Sequence, residues 1–241
     1  MSGAQPDDVA TLLHDVHWAM AQELEPIELV PMLEKLVSRA APSSRAGVFA
    51  RQFLSELLVE KNPWRAALLA KSVLQQDDDH RAWAVLGLAH TLLGHFRSAA
   101  KAYARAIQLH PTCASYRHNL GHLLDVALNR PHAALMHLAK AHRSAPEEDE
   151  IASSYAHALV RTSRLAEARR VLEGVFRSDG TRIERLLARW QRTKDVGRAQ
   201  PEWSSEGDEQ SGLPEDLLVG DDPELDQELQ AALSALEVET H

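Results

Sequence analysis

The chain has 241 residues, 44% of them hydrophobic and 25% charged, the balance of a soluble globular protein with room for a sizeable core. A single cysteine, Cys113, excludes an internal disulfide and a multi-cysteine zinc site, and no apolar run reaches the ~18 residues of a membrane span. The net charge of −9 is unevenly spread: residues 201–241 hold 13 acids and no Lys or Arg, leaving 22 acids against 26 bases before them. With no basic leader in Met1–Asp8, a reducing cytoplasm is the expected compartment.

Ala, Leu, Arg and Glu recur throughout and strand-type alternation is nearly absent, so the expected class is all-α. Residues 1–43 are expected to form a divergent helix pair, Asp7–Gln22 and Pro26–Arg39. Residues 46–79 resemble a degenerate helical hairpin, with Phe49, Phe53 and Leu57 at i, i+4, i+8, then Ala66, Ala70 and Val73. From His80 a sharper pattern begins: Trp83, Leu86-Gly87, His90, Ala99, Tyr103, Ala106 and Pro111. Gly87 and Ala99 fall where two helices must cross closely, and Pro111 ends the second helix. Leu86-Gly87 returns 34 residues on as Leu120-Gly121 and 35 further as Tyr155-Ala156. The second-helix set returns as Ala134/Leu138/Ala141/Pro146, then as Ala168/Leu172/Val175/Gly180. The extra residue lies between Gly121 and Ala134, and the turn Asn129-Arg130-Pro131 is the expected place for it. Ile183, Leu186, Leu187 and Trp190 then form one face of a capping helix, opposite Arg182, Arg185, Arg189 and Arg192.

This repeat resembles the tetratricopeptide (TPR) signature of Trp, Leu-Gly, Tyr, Ala, Phe and Pro, with His90 in the tyrosine slot. The resemblance implies a TPR-like right-handed solenoid of antiparallel helix pairs over residues 44–195, about four repeats and a cap. It also implies that the first helix of each pair lines a concave face able to hold a peptide or helix of another protein. The lining positions would be Arg81, Ala84, Leu88 and Thr91, then Ser115, His118, Asn119, His122 and Asp125, then Glu150, Ser153, Ser154, His157 and Arg161. Of the Lys/Arg/Asn set with which some TPR proteins clamp a terminal carboxylate, Asn119 fits, but Ala84 and Leu88 stand where Lys and Asn are needed. An amphipathic or extended segment with apolar anchors near Leu88 suits the lining better.

Catalytic chemistry is not expected. The sequence has no phosphate loop, nucleophile elbow or Cys-x-x-Cys. The acidic runs Asp77–Asp79 and Glu147–Glu150 precede first helices, where negative charge suits the helix dipole. His118 and His122, at i, i+4 with His157 a third candidate, are the basis of the alternative reading as a metal-binding or enzymatic protein, but no Glu joins them. No metal or cofactor is therefore assigned. Residues 161–198 are basic, but their only aromatics are Phe176 and Trp190, so a nucleic-acid surface is not expected either.

Residues 196–241 read as a disordered acidic tail. Within it a short amphipathic helix is expected over 223–238, capped by Asp222 and carrying Leu225, Leu229, Leu233 and Leu236 on one face. It could dock on a second protein or fold back on its own body. The functional expectation is a cytoplasmic scaffold or adaptor with protein partners and no membrane insertion. The alternative within binding functions is a chaperone holding one client, similar to the class II chaperones of type III secretion.

Overall fold

The computed structural model describes residues 6–176 and 179–193. The expected tail, with its helix and leucine face, lies outside the described residues. Every regular element among them is helical: α1 (Pro6–Ala21), α2 (Pro26–Arg39), α3 (Arg45–Leu58), α4 (Pro63–Leu74), α5 (His80–Leu92), α6 (Phe96–Leu109), α7 (Ala114–His122), α8 (Pro131–Ser144), α9 (Asp149–Arg161), α10 (Leu165–Val175) and α11 (Gly180–Thr193). A π-helical turn, Leu123–Ala127, extends α7. This is an all-α, TPR-like repeat of helix pairs, as the sequence pattern implies. None of these helices is long and apolar enough to cross a membrane.

The chain divides into two compact units between His95 and Phe96. α1–α5 make the first and α6–α11 the second, so the division falls in the turn between the two helices of the sharpest repeat. Inside each unit every helix packs on the next, and alternate helices also touch: α3 on α5, α7 on α9, and α9 on α11.

Local sequence sets the helix boundaries. Asn62 caps α4 by accepting from Arg65 N at 3.1 Å, followed by Pro63, whose ring suits the first helical turn. Asp79 caps α5 by accepting from Arg81 N and Ala82 N at 2.8 and 2.9 Å, which gives the Asp77–Asp79 run a structural role. Ser44 caps α3 through Gly47 N at 3.0 Å. Gly47 must lack a side chain, because a Cβ there would lie 2.0 Å from the Ala41 carbonyl oxygen.

The repeat positions form the core. Ala99, Tyr103 and Ala106 of α6, Ala134, Leu138 and Ala141 of α8, and Ala168 and Leu172 of α10 are all buried. At Gly121 the α7–α8 approach is so close that a Cβ would come within 2.6 Å of Leu138 Cγ. The capping stripe also packs as expected: Ile183 and Leu187 are buried with Leu172 and Phe176, and Leu186 and Trp190 pack against them.

Two local expectations change. In α3 the buried stripe is Ala46, Ala50, Leu54 and Leu58, while Phe49, Phe53 and Leu57 are only half-buried. Small side chains let α3 approach its neighbours, which leaves the two phenyl rings on an open face. The inserted residue of the second repeat also sits elsewhere than in the Asn129-Arg130-Pro131 turn. The first helix of each of the three clear repeats ends in a left-handed residue, Gly94, Asn129 or Ser163. Gly94 stands 7 residues after Gly87 and Ser163 7 after Ala156, but Asn129 stands 8 after Gly121. From each of these residues to the next second-helix alanine (Ala99, Ala134, Ala168) the distance is 5 every time. The turn is therefore unchanged, and the helix absorbs the insertion as its π-turn, closed by Leu128 N donating to Leu123 O at 3.0 Å.

Candidate partner-binding site

In the second unit, the first-helix residues expected to line a groove meet each other. His118 Nε2 lies 2.9 Å from Ser154 Oγ, and the same hydroxyl lies 3.3 Å from His122 Nδ1. One turn further, Asp125 is 1% exposed and accepts from His157 Nδ1 at 2.5 Å and from Arg161 Nη1 at 2.9 Å. Arg161 also donates to the Asp125 main-chain carbonyl and to Asn129 Oδ1. One guanidinium thus neutralises a buried carboxylate and satisfies carbonyl capacity where the widened helix ends. The His157 ring stands edge-on to Trp190, with centroids 5.4 Å apart. His118, His122, Asp125, His157 and Arg161 form a cross-brace between α7 and α9, with Ser154 at its centre.

Burial is the main cause lowering the His118 and His122 imidazoles below the ordinary histidine value. Glu150 offsets it for His118, Asp125 and Glu150 offset it for His122, and the neighbouring imidazoles add to it. Both rings turn toward Ser154, a hydroxyl partner of neutral imidazole. Among the described residues no group of three or more His, Cys, Asp or Glu could hold a metal ion. Ser115 is exposed and Asn119 and Ser153 are half-exposed beside this brace, and Val126 on the π-turn is 54% exposed.

In the first unit, Thr91 donates to Gly87 O at 2.8 Å, and Leu88 is half-exposed. Arg81 pairs in bidentate fashion with Glu56 of α3, at 2.9 and 2.7 Å, and its guanidinium lies 4.9 Å from the centroid of Phe53. This pair borders a cleft of about 480 Å³ lined by Val48, Phe49, Gln52, Phe53, Gln76 and Asp77 among others. Phe49 and Phe53 stand 4.7 Å apart as its aromatic wall. Gln52 is 5% exposed; its Nε2 donates to Glu56 Oε1 at 2.6 Å, and its own Oε1 is buried without a donor. An unmet acceptor beside an open aromatic cleft is an arrangement that an N–H-bearing ligand completes. Of these residues the sequence reading singled out only Arg81 as lining. The i, i+4 pair Phe49/Phe53 is visible in the sequence, but only as part of a degenerate helical hairpin.

Neither a protein-family model nor a curated protein matches the sequence. Solved structures do match the fold. A crystal structure of MamA aligns with 70% of this chain and 96% of its own at a TM-score of 0.58 and 18% identity. A MamA fragment from Desulfovibrio magneticus RS-1 aligns with 76% of this chain and 97% of its own at 0.59 and 16%. Another MamA structure, MSR-1, aligns with 74% and 97% at 0.54 and 21%. At such identities the likeness is one of fold.

Proposed function

We propose that this chain is a non-catalytic scaffold or adaptor that holds a peptide or helical segment of another protein on its inner helices. The observation that carries this reading is the α3–α5 cleft. It has aromatic walls, a volume that suits one or two large side chains, and a buried acceptor left for a ligand's N–H. The exposed apolar Val126 and, further along α7 and α9, the exposed or half-exposed Ser115, Asn119 and Ser153 offer the second unit contact positions beside its rigid brace. Binding by an inner-helix face also accounts for the spending of histidine and carboxylate on cross-bracing rather than on a reacting centre. The acidic tail serves in this reading as a regulatory or second docking element.

Selection from a random peptide display library on the full chain tests it. Enriched peptides should share a large apolar side chain, and Phe49→Ala and Phe53→Ala should each weaken them about tenfold or more with the helical circular dichroism unchanged. A library that yields no enriched peptide, or peptides indifferent to both substitutions, would sink the reading.

A further inference from the structure

One stretch of the second unit is almost without acids. Between Phe96 and Pro146, seven Lys and Arg side chains accompany a single acid, Asp125, which is buried against His157 and Arg161. Neither α6 nor α8 holds any acid. On α8, His137 is 1% exposed and its Nδ1 has no hydrogen-bond partner. One turn along, the Lys140 Nζ is also shut from water without a partner. Buried polar groups are as a rule hydrogen-bonded, and a buried ammonium most of all. Arg117 of α7 bears electrostatically on both groups and Arg143 bears on Lys140; with desolvation as the leading cause, they push the His137 imidazole down to about 4 and the Lys140 ammonium below its ordinary value. Cations converging on an ammonium with unmet donors form a place that carboxylates complete.

The chain supplies such carboxylates itself. Residues 201–241 hold 13 acids and no Lys or Arg, five of them within Asp221–Glu228. Twenty-eight residues separate Thr193, the end of α11, from Asp222, and a coil of that length spans about 30 Å. Leu135 of α8 packs against the same core as Leu186 and Trp190 of α11, so α11 lies within one core's width of α8. We propose that the acidic segment 221–239 docks in cis on the cationic face of α7 and α8, setting its carboxylates on Lys140, Arg117 and Arg143. This deepens the scaffold reading, on which its regulatory meaning rests: docking occupies these cations and withholds the segment from other proteins.

Cys113 makes the test direct. It is the sole cysteine, is half-exposed, makes no side-chain cap bond, and lies one turn before Arg117. A nitroxide on Cys113 of the ¹⁵N-labelled full chain should strip at least about half the intensity from amides of residues 222–238 at ~50 mM salt, and much less at ~300 mM. Arg117→Glu with Lys140→Glu should restore those signals. So should the tail variant Glu224→Gln, Asp226→Asn, Glu228→Gln, which leaves α1–α11 untouched. Unbroadened tail amides in the parent chain overturn the proposal, as does broadening that survives both variants. Equal broadening in a mixture of spin-labelled unenriched chain and unlabelled ¹⁵N chain assigns the contact to a second copy and overturns docking in cis. Peptide selection at Phe49 and Phe53 reads a different unit, so either proposal can fail alone.

Discussion

Replacing His90 by Gln should remove a defined part of the acid sensitivity of the first unit. His90 fills the tyrosine slot of the sharpest repeat and is only 6% exposed, 3.4 Å from the Nδ1 of His95. Burial, then His95, then Lys71, lowers its imidazole from 6.5 to about 4. The neutral ring is the native form, so the unfolded chain takes up the proton first. The stability contributed by neutral His90 is therefore whole above pH 6.5 and drains away as pH falls toward 4. The slope approaches about 1.4 kcal/mol per pH unit, which amounts to about 2 kcal/mol between pH 7 and pH 5. Urea denaturation followed by circular dichroism at both pH values measures it. The parent should lose about 2 kcal/mol more than His90→Gln over that interval, whatever the fixed cost of the substitution at pH 7. Parallel losses in the two proteins would refute the claim that His90 is held neutral by its surroundings.

Two substitutions and one deletion probe the second unit. Gly121→Ala places a Cβ 2.6 Å from Leu138 Cγ and 3.3 Å from Leu138 N, and Leu138 is fully buried, so overpacking of about 1–3 kcal/mol should exceed the gain in helix propensity and lower the melting temperature. Asp125→Ala leaves Arg161 facing His157 with no counter-charge at a site where the acid is 1% exposed; a loss of about 3–5 kcal/mol in chemical denaturation is expected, and a loss under about 1 kcal/mol would mean the brace is slack. Deleting Val126, which is 54% exposed, restores the 7-residue spacing of the other repeats at little packing cost. If the π-turn serves to present the Asp125 carbonyl and Asn129 to Arg161, the deletion should destabilise by about 1–3 kcal/mol; a rise in melting temperature would make the π-turn a mere scar of insertion.

The repeat was legible because it is written in burial. Ala99/Tyr103/Ala106 and their two echoes are small and large residues that must fit a facing helix, so the same register recurs wherever the same packing does. The first helices gave less away. A one-residue insertion between Gly121 and Ala134 is equally compatible with a longer turn and a widened helix, and nothing in Leu123–Ala127 distinguishes them by propensity. The turn residue decides it, since Asn129 takes the left-handed conformation that Gly94 and Ser163 take in their own repeats. Phe49 and Phe53 are ambiguous for a related reason: aromatics at i, i+4 mark an apolar face, but only the bulk of the facing residues decides whether that face is filled or left open as a cleft. The Gln52 acceptor has no sequence signal at all, because it is defined by donors that the surrounding helices do not supply.

The histidine-rich face between α7 and α9 shows how far residue type can stand from role. His118, His122 and His157 have the spacing of ligands, yet each finds a neighbour from the facing helix before any ion: Ser154 for the first two, Asp125 for the third. The i, i+4 rule places two rings on one face but does not say what the next repeat sets against them. In a repeat protein that answer comes from about 34 residues away, from a position equivalent by register. Asp125 and Arg161 hold nearly equivalent places in successive first helices, and the single inserted residue brings the end of one against the side chain of the other. The same logic bears on partner choice. Positions consumed by bonds between first helices are withdrawn from recognition, leaving it to the positions that those bonds hold still.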